Sequence, residues 1–181
     1  MALPSTIYRA NLQLSDIDRG VYETLQASVA RHPSETAERL VARLLAQALF
    51  QEEGLQFTKG ISASDEPDLW SKGPDGRVLL WVEVGLPDAE RLVKAARHAE
   101  RVALLACGST LATWERLQLP KLAGVANLTV TTVDQSFVNR LVALLERSIT
   151  WEITITEGTL YLQIAGESLV TPIVDKLAGF N

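Results

Sequence analysis

Two periods alternate along the chain: apolar residues recur at helical spacing in some stretches and at every second position in others. The clearest helical stretch carries Ala37, Leu40, Val41, Leu44, Leu45 and Ala48 at i, i+3, i+4, i+7 spacing. It predicts a helix over about Glu35 to Glu52, with Ser34 as N-cap and Gly54 as stop. Val21, Tyr22, Leu25 and Val29 also recur at helical spacing. They predict an earlier helix, capped within Ser15-Asp16-Ile17-Asp18 and broken by Arg31-His32-Pro33-Ser34. Thr6 to Leu14 reads as a strand, and Leu55 to Ile61 as a short one. Val78 to Gly85 is almost wholly apolar, as in a strand buried on both faces. Asp88 to Ala99 follows Pro87 as a helix with Ala89, Leu92, Val93 and Ala96 on one stripe. Beyond it come a buried strand (Val102 to Cys107), a helix (Thr110 to Leu117), a strand (Leu128 to Val133) and a helix (Ser136 to Glu146). Near the C-terminus Ile149, Trp151, Ile153 and Ile155 alternate with Thr150, Glu152, Thr154 and Thr156. Glu157-Gly158 then makes a turn, and Leu160, Leu162 and Ile164 alternate again, which is the pattern of a hairpin with one wet face.

This order predicts an α/β fold in a single domain, 1–181, with a mixed central sheet. Its core spans about 34–133. The N-terminal strand and the hairpin at 149–165 are expected to pack together as a small antiparallel layer. No internal repeat, low-complexity segment or long linker is evident. A chain of 181 residues can bury a substantial core. No apolar run approaches the ~18 residues that span a bilayer, and the start lacks the basic flank and apolar centre of a signal peptide. With Cys107 the only cysteine, no intrachain disulfide is possible. These features predict a cytoplasmic protein without a membrane partner. The net charge of -5 argues against coating nucleic acid by bulk electrostatics, but leaves room for contact through a local basic patch.

Glu83 changes the picture most. It lies inside the apolar run Val78–Gly85, where an ionised carboxylate is costly unless compensated. Alternation puts it on one strand face with Leu79, Trp81 and Gly85, so Trp81 is expected to wall any site there. Asp68 lies fifteen positions earlier, and Lys72-Gly73-Pro74-Asp75-Gly76 makes a turn between the two. Adjacent antiparallel strands joined by that turn would bring both carboxylates to the same sheet end. Two such oxygen ligands with water suit Mg2+ or Mn2+, which could polarise a phosphoryl oxygen and generate hydroxide. Helical-wheel arithmetic puts Glu38 about 80° from the centre of the apolar stripe of its helix and Glu35 about 140° from it. Glu38 is therefore the better third acid, with Glu35 the alternative. Either would also suit the helix dipole without any site role.

Other features read as structural. His32 is a polar loop residue and His98 a helix C-terminal one. Cys107 closes a buried strand, and Ser109 with Thr110 resembles a helix cap. The glycine patterns of a nucleophile elbow, a dinucleotide fold or a P-loop are absent.

Arg31-His32-Pro33-Ser34-Glu35-Thr36, Asp65-Glu66-Pro67-Asp68 and Trp81-Val82-Glu83-Val84-Gly85-Leu86-Pro87-Asp88 together resemble the hallmark segments of the bacterial YaeQ family. Met1-Ala2-Leu3 with Thr6-Ile7-Tyr8 fits too, so the resemblance covers essentially the whole chain. It implies a variant of the PD-(D/E)XK nuclease-like (restriction endonuclease-like) fold, a helix, three strands, a helix and a strand (αβββαβ), with Asp68 and Glu83 as the two signature acids. The nuclease pattern places a lysine two residues after the second acid, where this chain has Gly85. Lys94, on the next helix, is the candidate replacement; the plain alternative makes it a solvated charge like Arg91 and Arg97. Two functions follow as expectations. One is a metal-dependent nuclease-like phosphodiesterase with Asp68, Glu83 and Glu38 at the ion and Lys94 assisting. The other is a non-catalytic nuclease-fold protein that binds nucleic acid or a protein partner.

Overall fold

The computed structural model describes residues 3–59 and 65–180. Two mixed sheets and four helices stack in alternating layers. The chain opens with a long hairpin, β1 (Thr6–Asp16) and β2 (Val21–Arg31), followed by α1 (Ala37–Leu49). Next come β3 (Gln56–Phe57), β4 (Leu69–Lys72), β5 (Val78–Gly85), α2 (Ala89–His98) and β6 (Ala99–Ala106). Then follow α3 (Leu111–Gln118), a 3-10 turn (Leu119–Leu122), β7 (Leu128–Thr132) and α4 (Gln135–Ala143). The chain closes with β8 (Ser148–Thr156), β9 (Thr159–Ile164), β10 (Glu167–Pro172) and β11 (Val174–Leu177). One sheet has the order β10-β9-β8-β1-β2 and the other β11-β7-β6-β5-β4-β3.

Ten of the thirteen residues of α1 are buried, more than a one-sided helix can manage, because α1 and α4 lie between the two sheets. The central strand β6 divides its side chains accordingly. Ala103 and Leu105 face the α1 core, while Val102, Leu104 and Ala106 join Leu92 of α2 and Trp114 of α3 on the other side. Strands β5, β6 and β7 are parallel, whereas β3, β4 and β5 form an antiparallel meander. No described helix is long and apolar enough to cross a membrane.

Val78–Gly85 forms as expected, and the helix after Pro87 runs straight into β6, which takes Ala99 from it. The expected helix at Val21–Val29 is instead strand β2, paired with β1 along its full length. Val21, Leu25 and Val29 are four residues apart, a spacing that satisfies both periods. The β-favouring Val21, Tyr22, Thr24 and Val29, and a turn closed by Gly20 at φ +69°, decide for the strand. The N-cap of α1 is Thr36, whose hydroxyl accepts from the Arg39 N–H at 3.1 Å, while Ser34 bonds the His32 ring instead. The helix closes at Phe50, short of Glu52 and Gly54. The strand expected over Leu55 to Ile61 forms only at Gln56–Phe57, and its far end lies outside the described residues. The expected small antiparallel layer is a five-stranded mixed sheet, since β1 and β8 are parallel and β2 and β10 form its two edges.

Candidate functional site

The turn between β4 and β5 fixes the register on which the site depends. Gly73 N–H donates to Arg77 O and Gly76 N–H to Gly73 O, both at 2.9 Å, with Gly76 at φ +83°. Leu69 consequently pairs with Val82, the last pair of that ladder, and Asp68, one step beyond, lies at the same strand end as Glu83. The Asp68 backbone is pinned on both sides: its N–H donates to Val82 O at 2.9 Å, and its carbonyl accepts from Thr58 N–H at 3.1 Å.

Both acids are nearly buried, at 2% exposure for Asp68 and 4% for Glu83. Asp68 Oδ1 accepts from Arg39 of α1, and Oδ2 accepts the Val84 N–H at 2.9 Å. The same guanidinium donates to Val84 O at 3.1 Å, so Arg39 and Asp68 clasp the end of β5 between them. Glu83 Oε1 accepts from Trp81 Nε1 at 2.8 Å and from Arg91 Nε of α2 at 2.9 Å. Arg91 also donates to Glu66 O at 3.0 Å, tying the loop before Asp68 to the site. Two guanidiniums thus reach one strand end from helices on opposite faces of the sheet.

The sequence carries a signal for this arrangement that its apolar periodicity hides. The string Ala-Glu-Arg-Leu-Val occurs at residues 37–41 and again at 89–93. Each copy opens a helix. Each leucine, Leu40 and Leu92, is fully buried. Each arginine sits in the first helical turn, where the dipole disfavours a cation, and is compensated there by an acid at or beside the strand end. The ion pair of Arg91 with Glu83 corrects the reading of Arg91 as a solvated charge.

The other candidates separate. Glu38 turns toward Gly108, its Oε1 3.9 Å from where a Cβ would stand, and its charge acts on Cys107. Glu35 is buried and paired with Arg43 rather than with the strand acids. Lys94 is exposed and lines a separate cavity along α2 with Arg97, His98 and Lys121. Gly85 has φ +97°, a conformation in which a lysine side chain would strain the backbone.

Burial raises the Glu83 carboxyl above its usual 4.5, and Asp68 adds to the rise, against the opposing pull of Arg91 and Trp81. Burial, followed by the Glu38 charge, pushes the Cys107 thiol up to about 11. A carboxyl with a raised folded-state pKa contributes most to stability below its unfolded pKa, and that contribution is lost as pH rises through the folded value. Glu83→Gln keeps an acceptor for Trp81 and Arg91 without the charge. The variant should exceed the wild type in stability at neutral pH, by a margin that shrinks toward about pH 4. Urea denaturation of both proteins across that range measures the margin; a margin independent of pH would contradict the burial argument.

The donor set does not fit a resident divalent cation in this arrangement. Both Asp68 oxygens and Glu83 Oε1 already accept hydrogen bonds, two of these groups from guanidiniums that would repel the ion. Among the described residues no three His, Cys, Asp or Glu side chains converge to hold a metal. The arrangement offers a chemically different feature: two fixed guanidiniums, 30% and 37% exposed, beside the N-termini of two helices. Both elements attract anions.

The profile of the YaeQ protein family matches residues 1–172. The chain is 41% identical to the YaeQ protein of Salmonella typhi over 170 residues, covering 93% of this chain and 94% of that one. It is 39% identical to the YaeQ protein of Escherichia coli K12 over 163 residues, covering 90% of each. The crystal structure of YaeQ from Pseudomonas syringae superposes with a TM-score of 0.92 at 42% identity, covering 98% of each chain. That of YaeQ from Xanthomonas axonopodis pv. citri gives 0.91 at 35%, covering 96% of this chain and 99% of that one. With sequence and structure alike over nearly its whole length, the chain belongs to the YaeQ family.

Proposed function

We propose that the chain is a nuclease-like protein of the PD-(D/E)XK type that binds the phosphodiester backbone of nucleic acid at the Asp68–Glu83 strand end. The observation that carries this reading is the convergence of Arg39 and Arg91, each held by a nearly buried acid, on one sheet end. A guanidinium fixed in this way loses little freedom on meeting a phosphate, and its planar fork matches the anion's oxygens. The element order α1-β3-β4-β5-α2-β6 supports the fold assignment, because it is the order the nuclease resemblance implies. The ends of parallel strands are also where open α/β sheets receive ligands.

Metal-dependent phosphodiester hydrolysis with Mg2+ or Mn2+ is a second reading, favoured by two nearly buried acids at one strand end, close enough for the Asp68 charge to act on Glu83. It requires Arg39 and Arg91 to release their acids. One experiment separates the two. Labelled duplex DNA and RNA are incubated with the protein in EDTA, Mg2+ or Mn2+, and both binding and cleavage are followed. The binding reading expects salt-sensitive affinity that EDTA leaves unchanged, with no cleavage. Cleavage that needs the ion and is lost in Glu83→Gln would establish the second reading in its place. Absence of both binding and cleavage would sink both.

A further inference from the structure

The cations of this acidic chain are unevenly committed. Arg19, Arg39, Arg43, Arg77, Arg91 and Arg101 are each ion-paired. Lys94, Arg97 and Lys121 make no ion pair among the described residues, yet all three line one cavity of about 670 Å3 with His98. Glu90 is the only acid among its lining residues. Lys94, Arg97, His98 and Lys121 are all exposed.

Helix geometry explains the clustering. Ala89, Leu92 and Ala95 bury one face of α2 against the sheet, which leaves Glu90, Lys94 and Arg97 on the opposite stripe. Lys121 comes from the 3-10 turn that follows α3. Four potential cations without partners repel one another, and no described carboxylate bonds to any of them. At 1.5 Å rise per residue, the distance along α2 from Arg91 to His98 is about 10 Å. No Phe, Tyr or Trp lines the cavity, so it lacks the large aromatic platforms on which unpaired bases stack.

We infer that the outer stripe of α2, Lys94 and Arg97 with Lys121 beside them, is a track for the phosphate backbone of double-stranded nucleic acid, leading away from the strand-end site. The inference rests on the nucleic-acid reading above and deepens it. The track is independent of sequence and works by charge alone. It also gives Lys94 a role in holding the duplex outside the Asp68–Glu83 centre.

The test compares wild type, Lys94→Gln/Arg97→Gln/Lys121→Gln and Arg39→Gln by fluorescence anisotropy with a labelled DNA duplex over a series of salt concentrations. All three track residues are exposed, so the triple variant should fold normally; circular dichroism checks this. Each lost phosphate contact removes about 0.9 from the slope of log affinity against log salt. The triple variant should therefore lose two to three units of slope, and roughly tenfold or more in affinity at low salt. An unchanged slope overturns the track even if the wild type binds. Loss of slope in the triple variant with none in Arg39→Gln supports the track and overturns the strand-end reading. A wild type that binds no duplex, or that prefers the single strand, overturns the track outright.

Discussion

Arg43→Met should lower the stability of the protein by about 3–5 kcal/mol, the typical cost of breaking a buried ion pair by removing one partner. Arg43 and Glu35 are both nearly buried, and one guanidinium nitrogen meets the two carboxylate oxygens at 3.0 and 3.2 Å. The guanidinium also lies 5.4 Å from the centre of the Phe57 ring. Glu35 in turn presents its backbone carbonyl to Arg31 of β2 at 2.9 Å. The pair therefore joins the five-stranded sheet to α1 at the point where the chain passes from one to the other. Without Arg43 the Glu35 carboxylate stays buried and loses its only charged partner among the described residues. Thermal unfolding should shift downward by roughly 6–20 °C for a chain of this size, and chemical denaturation gives the free energy directly. Replacing both residues, Glu35→Leu with Arg43→Met, removes the uncompensated charge and should recover most of the loss. A double variant no more stable than Arg43→Met would mean that the guanidinium acts through packing on Phe57 rather than through Glu35.

That pair also shows which parts of the site were legible in the sequence. An acid inside Val78–Gly85 is visible because a charge in an apolar strand is expensive, and the turn at Gly73–Gly76 is visible from its residue types. Together they place Asp68 and Glu83 at one strand end, as the structure does. What compensates the acids is not visible, because an arginine's partner depends on which helix crosses which strand. Arg39 and Arg91 stand 29 and 8 positions from the acids they bind. Glu35 could be ranked behind Glu38 by its angle on the helix, but not assigned to Arg43, because its position just before α1 is set by Thr36 capping the helix in place of Ser34. The helix expected at Val21–Val29 failed for a related reason. One β-hairpin pairing along eleven positions outweighs a spacing that either structure allows. Tertiary pairing, rather than local pattern, decides both cases.

The second large effect is expected at Asp68. Asp68→Ala removes the acceptor of the buried Val84 N–H and the carboxylate that holds Arg39. An orphaned buried donor and a broken charged hydrogen bond together should cost about 3 kcal/mol, which denaturation with urea can measure. Asp68→Asn is milder, since its carbonyl can still accept from Val84. It is also the more informative variant. Arg39 keeps its bond to Val84 O at 3.1 Å, so the guanidinium remains at the strand end with one negative charge fewer beside it. If the centre works by attracting phosphate, Asp68→Asn should bind duplex more tightly than the wild type, with a salt slope at least as steep. If the centre works by holding an ion for hydrolysis, the same change weakens the ion's ligand set and no activity survives. The two readings give opposite signs for one conservative substitution, because in one the acids organise the cations and in the other the acids are the functional groups themselves.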